Sequence, residues 1–453
     1  MNVVGLLAAN ALLATLGAGG LMLTGTWDRL RPASRIAPAL LAGFALAAVS
    51  LPPLIYAGMS PTPLVVGSIA LAVLAVGSSV RRRQRRPTVD ASGGGLLIAA
   101  IAAVVAIPFV LRAASEPLTK FDAYADWTLK ATLLYGHGGL LSGAFDSDTL
   151  SSFYLPSHRE YPLGLPAVEA FDFHLMGGVD ARIIHLQFVL LAAAFAGTIW
   201  SLLRHRVPVA PLAATLLLFG VAPGLHTQLL AAYADVPIAC LWAASALAFG
   251  LWLIDDGEDR LYLGAMLAGG ALATKQEGIV LASALFVTVA IALALRRSTR
   301  TARRFGLVAA AVALSVVPWQ WWVRSHHLHD ADIAPSAGRM VRQVDTVPAI
   351  VHRVGAELVW LRWPGIVVIA VLVSVLLIVR QRDPIAIGYL LVLALSIVGV
   401  VVVYWNARIP VGGLLTQSAE RVVAAPVLLS VAMLPLLISS SFDAGSLRSG
   451  RSD

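Results

Sequence analysis

Apolar runs of about 18 or more residues recur along the whole of this 453-residue chain, separated by short polar stretches. A run of that length crosses a bilayer as a helix and is far too long for a buried strand. Only 13% of the residues are charged, about half the share found in soluble domains, roughly 25%. A soluble globular fold is therefore excluded, and an all-α polytopic membrane protein is implied. The runs predict about 13 transmembrane helices (range 11–13), near 2–24, 36–58, 63–80, 95–113, 181–203, 208–223, 229–253, 261–274, 277–295, 305–323, 357–379, 384–405 and 421–440. The shortest, 208–223 and 261–274, could be half-spanning. The first stretch, "MNVVGLLAANALLATLGAGG", lacks a basic n-region and reads as a membrane helix, not a secretory signal.

The net charge of +8 comes from 30 Arg and 3 Lys, and most of the arginines sit in short clusters between apolar runs. Such clusters orient helices and are no signal of nucleic-acid binding. If thirteen spans alternate, "RRRQRR" (81–86), "RHR" (204–206), "RRSTRTARR" (296–304) and "RQR" (380–382) share one side. The positive-inside rule makes that side cytoplasmic, with the N-terminus outside. The longer polar and aromatic segments 114–180, 324–356 and 406–420 then face outward, and long structured loops tend to carry function. The single Cys240 lies within an apolar run, so neither an internal disulfide nor a multi-cysteine metal site is available.

The outward segments hold the ionisable residues that a membrane chain has least reason to keep. In "KFDAYADWTLKATLLYGHGG" (120–139), Asp122, Asp126 and Lys130 recur every four residues and share one helical face. Phe121, Tyr124, Trp127 and Leu134 fall on the other face, where an interfacial helix would rest them on the headgroups. The plain alternative is an amphipathic linker with solvated charges. "SHREYPLGLPAVEAF" (157–171) adds His158, Arg159 and Tyr161. "AAYADVPIA" (231–239) puts Asp235 near the outer end of a span, and "ATKQEGIVLA" (273–282) puts Lys275 and Glu277 in an outward turn. Ionisable groups at that depth usually face a polar cavity or a partner. Against this stand an N-cap at "DVP" for Asp235 and a local ion pair for Lys275 and Glu277.

All three lysines lie in these outward segments, where a compact cation suited to phosphate would explain them. "TQSAERVVAAPVLL" (416–429) brings Glu420 and Arg421 to the outer start of the last helix; the alternative role for Arg421 is to anchor that helix end. "RSHHLHDAD" (324–332) holds His326, His327, His329 and Asp330. Consecutive residues cannot all ligate one ion and no matching cluster is obvious, so a metal site there is disfavoured. No cofactor is expected, although assistance by a divalent metal stays open.

"FDAYADWTLKA", "YPLGLPAVEA", "YADVPIA", "ATKQEG" and "SAERVVAAPVL", in that order, resemble bacterial membrane glycosyltransferases of the GT-C superfamily. The dolichyl-phosphate-mannose mannosyltransferase-like branch is the nearest in pattern, over residues of about 95 to 440. The resemblance implies interfacial helices in the first large outer loop and a sugar donor on a polyprenyl phosphate. It also implies transfer on the outer face of the plasma membrane, with inversion, in cell-envelope or cell-wall synthesis. Asp122 falls where the family has its catalytic Asp, with Asp126 one turn on, and Glu420 and Arg421 match the polar pair before its last core helix. On this reading Asp122 is the general base, with Asp126 as second choice. Lys130, His158, Arg159, Tyr161, Asp235, Lys275, Glu277, Glu420 and Arg421 would bind donor phosphate or substrate. The chain departs from the family by placing three additional spans before the Asp loop. That divides it into an appended module (1–88), a catalytic core (89–323) and C-terminal helices (324–453). The sugar, hexose or pentose (a mannosyl- or arabinosyltransferase), and the acceptor, glycan, glycolipid or glycoprotein, are left open. A transporter or flippase of lipid-linked sugars and a non-catalytic subunit of an envelope-synthesis complex are the rival classes. No convincing internal repeat or pair of matched broken helices favours the transporter.

Overall fold

The structure, a computed structural model, describes residues 2–83, 107, 109–137, 158–329, 332–333, 336–359 and 362–449, and among these every regular element is helical apart from one isolated bridge between Ile333 and Ala407. In order the helices are α1 (Asn2–Thr24), α2 (Ile36–Tyr56), α3 (Pro63–Arg83), α4 (Leu129–His137) and α5 (Gly164–Met176). Next come α6 (His185–Leu203), α7 (Val209–Gly220), α8 (Pro223–Ala231), α9 (Asp235–Asp255), α10 (Glu258–Thr274) and α11 (Gly278–Arg296). The chain continues through α12 (Thr299–Leu314), α13 (Val317–Ser325), α14 (Ala337–Arg342) and α15 (Val347–Val359). It finishes with α16 (Ile366–Gln381), α17 (Pro384–Trp405), α18 (Val411–Val422) and α19 (Ala424–Ser449). Nine described helices, some counted through a break, are long and apolar enough to cross a membrane; the α7–α8 pair, bent by 50°, makes a tenth and α16 is a shorter apolar helix. The expected span 95–113 falls largely outside the described residues.

Several expected spans are broken, and proline accounts for two of the breaks. Pro318 would collide with the carbonyl of Leu314, which is where α12 stops; Pro426 stands in the same relation to Val422, the last residue of α18. The helix expected over 229–253 is interrupted at Ala232, which adopts a left-handed φ of 52°, and restarts at Asp235. Pro364 and Gly365 (φ 66°) separate α15 from α16 in the same way.

α9 is among the most enclosed helices. Every residue from Asp235 to Phe249 is buried, and it packs against α6, α10, α11 and α19. α1 and α2 cross without room for side chains: a Cβ on Gly17 would lie 1.8 Å from the Ala39 carbonyl oxygen. α5 runs across one end of the bundle, with Gly164 against Ala273 and Ala48, and Leu175 against Gly5.

The ion pairs sort to two ends. Arg81–Asp28 (2.8 Å), Arg29–Asp259 (3.2 Å), Arg206–Asp255, Arg260–Asp255 and Arg304–Glu258 tie together the arginine-rich turns. Lys275–Asp235, Arg421–Asp122, Arg362–Glu420 and His158–Asp332 lie at the other end. Alternating spans give that two-ended segregation, and it places the candidate site at the end opposite the arginine-rich turns.

Candidate active site

At the arginine-poor end, a cavity of about 140 Å³ opens between α9, α11, α17, α18 and the residues 122–127. Its wall contains Asp122, Asp126, His158, Tyr161, Asp235, Lys275, Glu277 and Arg421. Eight of the eleven residues singled out in the sequence therefore share one cavity, although they come from five separate stretches of chain. Lys130, Arg159 and Glu420 are not on its wall.

Local backbone geometry explains how the acidic stretch reaches the cavity. Residues Ala123–Thr128 form a π-helical turn between two α-helical flanks. The extra residue in that turn rotates Trp127 onto the face of Asp122 and Asp126, and all three line the cavity. This corrects the α-helical period, which put Trp127 and Leu134 on a membrane-facing side. Both are buried (2% and 0% exposed), while Phe121 and Tyr124 are exposed and meet edge to face at 5.6 Å.

Lys275 sits in the three-residue connection between α10 and α11. That connection is tight because Gly278 packs on α10, where a Cβ would fall 2.6 Å from the Ala271 carbonyl oxygen. The lysine Nζ donates to Asp235 Oδ1 (2.9 Å) and also pairs with Glu277 Oε1 at 2.8 Å. Burial opposes its charge, but these two carboxylates more than compensate, so its pKa is raised. Ala234, not Asp235, occupies the N-cap of α9, and Asp235 uses its side chain on Lys275.

Arg421 is presented by α18. Leu414, Gln417, Ser418, Arg421 and Val422 line the cavity at spacings of three and four, one stripe of a helix. The helix expected from 421 thus begins ten residues earlier, and Arg421 closes α18 instead of opening the final helix. Its Nη1 donates to Asp122 Oδ2 at 2.5 Å, and the guanidinium lies 4.3 Å from the centroid of the Tyr233 ring. Glu420 points elsewhere and pairs with Arg362.

Behind the cavity wall, Lys130 is fully buried and donates from Nζ to the His158 carbonyl oxygen at 2.7 Å. The rings of Trp127 and Tyr161 lie 5.2 and 5.4 Å from it. Burial lowers its pKa to about 8, against the pull of Asp126 and Glu160. Asp126 is shifted upward, chiefly by burial and despite Lys130 and His158. His158 is stacked on Tyr161 at 4.6 Å and placed between Glu160 (3.1 Å) and Asp332 (3.5 Å). Burial disfavours its imidazolium, but the Glu160 hydrogen bond and the Asp126 and Asp332 charges raise its pKa overall.

Part of the remaining wall is apolar, with Val280, Leu281, Val400, Val403, Leu414 and Val422. Asp332, Trp127, Tyr404, Gln417 and Ser418 are wall residues that sequence reasoning missed. Among the described residues no group of three or more His, Cys, Asp or Glu side chains is arranged to hold a metal ion; Asp330 lies outside them.

Residues 161–322, a little over a third of the chain, match the family model for dolichyl-phosphate-mannose-protein mannosyltransferase. The match supports a relationship to that superfamily. It contains Tyr161, Asp235, Lys275 and Glu277, whereas the Asp122 and Arg421 stretches lie outside it. No curated protein and no solved structure matches the chain.

Proposed function

We propose that the protein is an integral-membrane glycosyltransferase that moves a sugar from a polyprenyl-phosphate donor to an acceptor on the extracytoplasmic side. The observation that carries this is the single cavity in which two cations, several carboxylates and an apolar wall meet at the arginine-poor end. By the positive-inside rule that end faces away from the cytoplasm. The similarity over residues 161–322 to a mannosyltransferase family supports the same donor class.

On this reading the valine- and leucine-rich wall takes the first isoprenes, and Lys275 and Arg421 hold the phosphate. The acceptor hydroxyl attacks the anomeric carbon as the bond to the phosphate oxygen breaks, inverting the configuration. Asp122 takes the hydroxyl proton; a base within hydrogen-bond reach contributes about 10²–10⁴-fold. The leaving phosphate departs as an anion, so fixed positive charge serves it better than a proton donor. Asp126, with its raised pKa, orients the acceptor.

The test is sugar transfer from synthetic polyprenyl-phosphate sugars by the purified protein and its Asp122→Asn variant. Loss of at least 10²-fold in kcat is expected. Full transfer by the variant would remove Asp122 as base, and substrate movement without glycoside product would favour a transporter.

A further inference from the structure

A second void lies outside the catalytic cavity. A groove of about 430 Å³ lies between α2, α10 and α12, lined by Leu46 and Val49, by Tyr262, Ala265, Met266 and Gly269, and by Arg304 and an apolar strip of α12 ending at Ser315. Its volume falls within the range of small-molecule sites, roughly 300–1,000 Å³. At its inner end α10 comes close to α2 and to the end of α12: a Cβ built on Gly269 would sit at ordinary contact distance, 3.5 Å from Val49 and 3.9 Å from Ser315.

The groove is apolar along its length and charged at one end. From Arg304 to Ser315 the α12 face runs about 16 Å at 1.5 Å per residue, close to the half-thickness of the hydrocarbon core, roughly 15 Å. Arg300 is one turn before Arg304 on the same face, and Arg303 is adjacent. Arg304 pairs with Glu258, while Asp255 is taken by Arg206 and Arg260, and Asp259 by Arg29. The acidic turn is thus neutralised by other arginines. Arg300 and Arg303 are exposed, with no ion pair among the described residues. Tyr262, which lines the groove together with Arg304, is 43% exposed, an amphipathic ring of the kind that sits at headgroup level.

We infer that this groove holds one anionic phospholipid of the leaflet on the arginine-rich side, its acyl chain along Leu307, Val308, Ala311 and Val312 and its phosphate at Arg300 and Arg304. The site lies at the opposite end of the bundle from the catalytic cavity and does not depend on the activity proposed above. An arginine presents five N–H donors, so Arg304 can take a phosphate oxygen without releasing Glu258.

The test uses the full chain in nanodiscs of phosphatidylcholine with and without phosphatidylglycerol, with retained lipid counted by native mass spectrometry. The wild type is expected to keep one phosphatidylglycerol through detergent extraction. Arg300→Gln with Arg304→Gln should weaken its retention at least tenfold. Ala265→Leu with Ala311→Leu, which fills the groove and leaves the arginines, should abolish it. Neither pair touches the catalytic cavity, so sugar transfer should persist. Equal retention of phosphatidylcholine by the wild type, or full retention by either double variant, overturns the proposal. So does preferential displacement by a polyprenyl phosphate, which would assign the groove to a prenyl chain.

Discussion

The Arg421 guanidinium joins Asp122 at 2.5 Å across 299 residues of sequence while resting on the Tyr233 ring. One cation thereby fixes the proposed base, the end of α18 and the α8–α9 connection in a single geometry. A lysine at this position would keep the charge but lose both the planar stacking and the fork of donors. Arg421→Lys is expected to fold, to raise the donor KM about tenfold and to lower kcat as well, because Asp122 loses its anchor. Steady-state kinetics with varied donor reads both changes.

The buried Lys275–Asp235 pair makes a separate prediction for stability. Both side chains are less than a tenth exposed. Removing one partner of such a pair leaves an uncompensated charge and costs about 3–5 kcal/mol. Asp235→Asn leaves Lys275 with Glu277, whereas Lys275→Met leaves two carboxylates facing one void. The double variant Asp235→Asn with Lys275→Met should unfold at a higher temperature than Lys275→Met alone. Thermal unfolding in one detergent is the measurement.

Asp235, Lys275, Glu277 and Arg421 were legible in the sequence because ionisable groups at membrane depth need a reason to be there. The cavity-facing stripe 414–422 was not, because an apolar run draws the eye to 421–440 while Pro426 sets the real boundary at Val422. Trp127 was misplaced because a π turn has no distinct signature in residue types. Asp332 reaches the site only through folding of a distant loop onto His158, which local periodicity cannot reveal. Most predicted spans were readable from hydropathy alone, whereas the expected span 261–274 falls in α10 (Glu258–Thr274), which is not among the helices long and apolar enough to cross a membrane.

Glu169 and Asp172 on α5 are fully buried, and their carboxyl oxygens have no hydrogen-bond partner among the described residues. Burial raises Glu169 to about 8 from an ordinary value of 4.5, and raises Asp172 too, with Glu169 adding to the shift. Between those two values for Glu169 the folded state binds more protons than the unfolded state. Its contribution to stability is therefore complete below pH 4.5 and is lost as pH rises through about 8. Glu169→Gln removes the titration. The variant should lose less unfolding temperature than wild type between pH 6 and pH 9, and parallel curves would show that Glu169 is not neutral in the fold.

Lys130 decides between two roles by a split in kinetic constants. As a phosphate ligand it would act on donor binding, yet its Nζ is fully buried, off the cavity wall and bonded to the His158 carbonyl. From that position it supports the segment carrying His158 and Tyr161 and lies beside the Asp126 charge. Lys130→Met keeps the apolar stem and deletes the ammonium. If Lys130 positions the rim, kcat falls about tenfold while donor KM stays within twofold, whereas Lys275→Met raises donor KM steeply. A pH series adds an independent readout. With a folded pKa of about 8 below its ordinary 10.5, wild-type Lys130 binds fewer protons folded than unfolded between those values, so its contribution to stability rises with pH across that window. That rise should be missing in Lys130→Met. A donor KM that climbs in Lys130→Met as it does in Lys275→Met would return Lys130 to the phosphate.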